Sequence, residues 1–120
     1  MPQLNNDKFL IIKNIKNYII GLESLLVTFP KKDMFSKNMV YNDALDLLEL
    51  VTKANYESRI DYKRCFQIEA MSKINKIDFY LERAYKLKYI SERQLTIKAN
   101  ELAKINKMIY YFIFNWKNHN

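Results

Sequence analysis

Glycine occurs once in the 120 residues, proline twice, cysteine once and histidine once. A β-sandwich or barrel needs many tight turns, and turns draw on glycine and proline, so an all-β fold is nearly excluded. No glycine cluster exists that could cradle a phosphate. The single cysteine, Cys65, cannot close an internal disulfide and is too few for a zinc site; with no histidine near it in sequence, it is expected to be a small core residue. The single histidine, His119, has no partner for base chemistry. No glutamate has a histidine three residues on, the pairing that di-metal bundles use. No metal site and no cofactor are expected, and an enzyme is the least favoured class.

Targeting and membrane signals are also missing. Residues 1–8 mix acid and amides where a signal peptide carries a basic and then an apolar run. The longest apolar run, residues 108–114, is far short of the ~20 residues of a membrane span. The expectation is a cytoplasmic protein with no membrane partner.

What is present is a globular chain. Apolar residues make up 49% and aromatic residues 14% of it, too many for a disordered segment. A chain of 120 residues is one domain, 1–120, able to close a single core. Twenty basic against thirteen acidic residues give a net charge of +7. That balance favours nucleic acid, an acidic partner or an anionic surface. The abundance of Lys, Asn, Ile and Tyr, which AT-rich codons encode, is an alternative source of part of it.

Four segments alternate apolar steps of three and four. Ile12, Ile15, Ile19, Leu22, Leu26 and Phe29 form the first stripe, which Pro30 stops. Val40, Ala44, Leu47, Val51 and Ala54 form the second, with Ser36 as the expected N-cap. Ala70, Ile74, Ile77, Leu81 and Ala84 form the third. Leu95, Ala99, Leu102, Ile109, Ile113 and Trp116 form the fourth, opened by the capping box Ser91-Glu92-Arg93-Gln94. The links, about residues 31–35, 57–60 and 88–90, are short and force antiparallel neighbours. The predicted fold is all-α: an antiparallel, up-down-up-down four-helix bundle.

The apolar residues exceed what four seams need. Ile11, Tyr18 and Leu25 make a second row on helix 1. Ile68 and Phe79 lie opposite the helix 3 seam, and Ile97, Tyr111 and Phe114 lie off the helix 4 seam. Each such side chain left in water forgoes ~1.5–3 kcal/mol, so a second interface is expected, the alternative being a wide core stripe. The expected oligomer interface comprises Ile68, Phe79, Tyr111 and Phe114. Asp43 and Asp46 join it from helix 2, because residues 33–61 hold three basic and six acidic groups while the other helices are basic. An acidic edge of one copy would meet a basic edge of the next.

Basic stripes carry the other expectation. Lys73, Lys76, Tyr80 and Arg83 share a flank of helix 3. Arg93, Asn100, Lys104, Lys107 and Tyr111 form a stripe on helix 4. Lysine and arginine neutralise phosphates, and aromatic rings stack on unpaired bases. A solvated lysine-rich face is the commoner reading of such a stripe.

Several short stretches resemble a known family. Phe29-Pro30-Lys31-Lys32 closes helix 1, and Leu45, Leu47-Leu48, Leu50 and Ala54 follow on helix 2. Leu81-Glu82-Arg83-Ala84, Leu87 and Ile90-Ser91-Glu92-Arg93-Gln94 span the next junction. Leu102, Ile105, Lys107-Met108-Ile109 and Trp116 lie on helix 4. The pattern, over roughly residues 15–116, is similar to the Avd-like four-helix-bundle accessory proteins of diversity-generating retroelements. It is also similar to their sister group, the bundle proteins encoded in intervening sequences of ribosomal RNA genes. Tyr110-Tyr111-Phe112-Ile113-Phe114-Asn115 departs from the small residues that often precede the closing tryptophan in that family.

The resemblance implies a homo-oligomeric ring, typically a pentamer, that binds a reverse transcriptase and its template RNA and performs no chemistry itself. It places binding residues at Arg83, Lys104 and Lys107. Together with the stripes, the expected nucleic-acid-binding set is Lys73, Lys76, Tyr80, Arg83, Arg93, Lys104 and Lys107. The alternative is an oligomeric scaffold of the ribosomal intervening-sequence type with a different partner.

Overall fold

The computed structural model describes the backbone of residues 2–119 and the side chains of residues 8–112. Four helices make up the fold: α1 (Pro2–Leu26), α2 (Met34–Tyr56), α3 (Ile60–Lys86) and α4 (Glu92–His119). A single 3-10 turn, Lys31–Asp33, precedes α2. Sequential helices pack side by side and α4 returns to α1, which closes the four-helix bundle. Its extents are 48 × 22 × 19 Å. Among the described residues, no helix is long and apolar enough to cross a membrane.

The helix ends follow local chemistry. Thr28 and Phe29 donate backbone N–H bonds to Leu25 and Leu26 as α1 unwinds before Pro30, which has extended backbone (φ −69°, ψ 149°). The α2 N-cap is Asp33, not Ser36: the Asp33 carboxylate accepts from the Ser36 backbone N–H at 3.2 Å. Ser36 lies inside the helix and is buried. Ser91 and Gln94 form the expected capping box, with the Gln94 N–H donating to Ser91 Oγ (3.1 Å) and the Ser91 N–H to Gln94 Oε1 (2.8 Å).

The C-terminus of α3 closes in a Schellman motif. The Tyr89 N–H donates to the Ala84 carbonyl at 2.8 Å and the Lys88 N–H to the Tyr85 carbonyl at 2.9 Å. The motif needs a left-handed residue, usually glycine. Lys88 supplies it, with φ 65°.

The core confirms the four stripes within the described residues and widens one. Ile15, Leu22, Leu47, Ile77, Leu81 and Leu102 are fully buried. The second row of α1, expected to be surplus, is buried as well: Ile11, Tyr18 and Leu25 join the core. The cause is position, because α1 lies between α2 and α4 and covers both. Cys65, expected in the core, is exposed instead.

Candidate nucleic-acid interface

The residues expected to contact nucleic acid divide into two groups according to what already holds them. Helices α2 and α3 pack directly on one another, and this pairing sets the acidic face of α2 against the basic flank of α3. Lys73 Nζ lies 3.2 Å from Asp46 and 3.7 Å from Asp43, and Lys76 Nζ lies 3.3 Å from Asp43. Asp43 is only 2% exposed. Asp43 and Asp46, expected to meet a basic edge of a second copy, thus meet the basic edge of their own chain. The charge contrast seen in the sequence is largely answered within the molecule.

Arg83 is held at the other end of α3. It donates to Asp33 Oδ2 at 2.9 Å and to Ser36 Oγ at 2.6 Å. The Tyr89 hydroxyl donates to the same Asp33 oxygen at 2.8 Å, and its ring packs on Phe29 at 5.3 Å between centroids. These bonds, Arg83 first, then Tyr89 and Ser36, hold the Asp33 carboxyl far below the usual carboxylate range. The cluster joins the α2 N-terminus, the α3 C-terminus and the α3–α4 link. Arg83 is accordingly a clasp that ties three elements together. Tyr80 is half-buried and packs edge-on against Phe79.

The α4 stripe is different. Arg93, Asn100, Lys104, Lys107 and Tyr111 are all exposed. Among the described residues, Arg93, Lys104 and Lys107 make no ion pair, whereas Lys73, Lys76 and Arg83 do. From Arg93 to Tyr111 the row runs for roughly 27 Å at 1.5 Å per residue. Two hollows lie along it and share Lys104. One is lined by Asn14, Asn17, Tyr18, Glu101, Lys104 and Ile105. The other is lined by Lys104, Lys107, Met108, Tyr111 and Phe112. The Asn14 amide donates to Met108 Sδ across the α1–α4 seam at 3.4 Å.

Sequence reasoning missed the residues beneath this surface. Lys98 tucks its ammonium between α4 and α1, with its side chain only 12% exposed and 3.0 Å from Glu101. The ammonium also stands 5.2 Å from the centre of the Tyr18 ring. Gly21, the one glycine in the chain, makes the space for it: a β-carbon there would stand 2.5 Å from Lys98 Nζ. The available signal was that glycine itself, since an isolated glycine inside a helix costs about 1 kcal/mol against alanine and calls for a packing reason.

Of the residues expected at an oligomer interface, Ile68 (61% exposed), Phe79 (60%) and Tyr111 (53%) do stand in solvent. Phe114 lies outside the described side chains. Cys65, Ile68, Ser72, Asn75 and Phe79 step by three and four along the outer face of α3, and all five are exposed. The strip carries no charge.

No protein-family description and no curated protein matches the chain. A solved structure is similar in fold: a protein of unknown function from the S23 ribosomal protein family of Bacteroides thetaiotaomicron. The two share 13% sequence identity and superpose with a TM-score of 0.80, over 89% of this chain and 97% of that one.

Proposed function

We infer that this chain is a non-enzymatic, cytoplasmic accessory protein that binds RNA through the outward face of α4 and assembles with copies of itself. The observation that supports this most is the contrast between the two basic stripes. On α3, carboxylates of the same chain hold Lys73, Lys76 and Arg83. On α4, Arg93, Lys104 and Lys107 stand exposed beside Tyr111 without an ion pair among the described residues. Three unpaired cations and an aromatic ring on one rigid helix suit a phosphate backbone with unpaired bases. Contacts of this kind position the backbone and read little sequence.

The resemblance to retroelement accessory proteins gives the partner: a reverse transcriptase, served by a homo-oligomeric ring of five copies. The uncharged strip around Ile68 and Phe79 is the surface through which copies would meet. Binding of structured RNA, followed by fluorescence anisotropy as salt rises, tests the reading. A steep loss of affinity supports it, and no binding at low salt refutes it.

A second reading has one observation in its favour. The solved structure of similar fold is assigned to an S23 ribosomal protein family, which lies nearer the ribosomal intervening-sequence branch of the resemblance. On that reading the bundle is an oligomeric scaffold with another partner. An assembled protein that ignores RNA would select it.

A further inference from the structure

The face shared by α1 and α2 is apolar where a solvated face would be polar. Two contacts set the register of these antiparallel helices. The Asn55 amide donates to the Lys8 carbonyl at 3.4 Å, and the Tyr41 hydroxyl donates to Glu23 at 2.8 Å. That register puts Phe9 beside Tyr56 at one end and Ile20 abreast of Leu45 further along. All four are exposed. At the Phe9 end a groove of about 570 Å³ opens between the helices, lined also by half-buried Ile12, Leu48 and Thr52 and by Lys8 and Lys16. Apolar side chains gathered on one face, unlike scattered ones, mark a contact surface.

Spacing singles out what fits there. Phe9 and Ile20 are eleven residues apart, and so are Leu45 and Tyr56. Eleven residues make three turns, ~16.5 Å of helix, and return a side chain to the same face. The outer strip of α3 repeats this interval: Ile68 and Phe79 are eleven residues apart, with Ser72 and Asn75 between them. One helix thus offers a ridge with two apolar knobs. The other two offer a groove with apolar ends at the same separation, the complement that helix packing uses.

Charge selects between the ways two copies could meet. Lys8 and Lys16 line the groove and make no ion pair among the described residues. Glu69 and Glu82 flank the α3 strip, are exposed, and make none either. Lys76, also beside the strip, is held by Asp43. Groove on groove would set lysine against lysine, and strip on strip would set glutamate against glutamate. Strip on groove brings opposite charges together.

We propose that the α3 strip of one copy seats in the α1–α2 groove of the next. Ile68 and Phe79 meet the two apolar ends, and Glu69 and Glu82 face the lysines of α1. The proposal rests on the self-assembly reading above and adds to it the surface that the strip meets. The two surfaces differ, so the contact is head-to-tail and builds a ring or a filament, not a two-fold dimer. Neither surface includes Arg93, Lys104 or Lys107, so the α4 row stays outside the contact.

The test is light scattering on two variants, alone and mixed. The groove variant carries Ile20→Glu and Tyr56→Glu, and the strip variant carries Phe79→Glu. All three positions are exposed, and circular dichroism checks that both proteins are folded. Each variant alone is expected to fall in mass to a single chain. Mixed in equal amounts, at a concentration where the wild type is assembled, they are expected to form a species of two chains. The intact strip of the groove variant then seats in the intact groove of the strip variant. A mass unchanged in either variant overturns this seating and leaves self-assembly intact, as does a mixture that forms no pair. A wild-type protein that is a single chain overturns the self-assembly reading and the seating together.

Discussion

The ammonium of Lys98 occupies the space that a β-carbon on Gly21 would need, 2.5 Å away. The contact locks α4 against α1 and places Lys98 over the ring of Tyr18. Gly21→Ala therefore sets two effects against each other. Helix propensity gains up to about 1 kcal/mol. Displacing Lys98 loses its Glu101 pair, worth ~0.3 kcal/mol, and its contact with Tyr18, worth ~0.5–1 kcal/mol. Chemical denaturation should show Gly21→Ala close to neutral in the wild-type background. In a Lys98→Ala background it should stabilise by nearly 1 kcal/mol. Equal effects in the two backgrounds would show that the residues are not coupled.

The Asp33 clasp makes stability depend on pH. Its carboxyl is held below the ordinary carboxylate range by Arg83, Tyr89 and Ser36, so the folded state binds its proton less readily than the unfolded chain does. The resulting stabilisation is complete above the unfolded pKa and is lost as pH falls through the ordinary carboxylate range towards the folded value. Asp33→Asn keeps a capping side chain but removes the charge. Thermal unfolding at pH 7 and pH 3 should show a smaller acid-induced drop in this variant than in the wild type. An equal drop would place the acid sensitivity elsewhere.

The lysines of α3 pair with carboxylates of α2. Removing both Lys73 and Lys76 leaves Asp43, 2% exposed, without a counter-charge. The double alanine variant should lose about 3 kcal/mol, the cost of stranding a buried charge. Adding Asp43→Leu should recover part of that loss. Urea unfolding checks both expectations, and a double variant as stable as the wild type would contradict the pairing.

Helix periodicity and the α4 capping box were legible in the sequence because they depend on residues a few places apart. The four elements, the Ser91–Gln94 box and the exposure of Ile68 and Phe79 all follow from local spacing. What was hidden depends on which elements meet. Asp33 and Ser36 are both good caps, and the choice between them comes with Arg83 and Tyr89, which reach Asp33 from 50 and 56 residues away. The second row of α1 is apolar whether it faces a partner or the core, and only the position of α1 between α2 and α4 decides. The charges on α2 and α3 were visible, but their mutual pairing depends on the packing of those two helices. Lys88 gave no sign of its left-handed backbone, since glycine is the usual marker of that position.

Phe79→Glu tests the apolar strip on α3. If copies meet there, the variant should remain soluble and helical with a lower mass by light scattering. An unchanged mass rejects that placement.

The central claim is that the exposed cations of α4, and not the paired ones of α3, hold RNA. Its most direct measurement is the slope of log affinity against log salt for a single-stranded RNA, in the wild type and in the triple variant Arg93→Ala, Lys104→Ala, Lys107→Ala. Each phosphate contact to a single strand contributes about 0.7 to that slope. The triple variant should therefore be shallower by about 2, with its helical content unchanged. A slope identical to the wild type would contradict the claim.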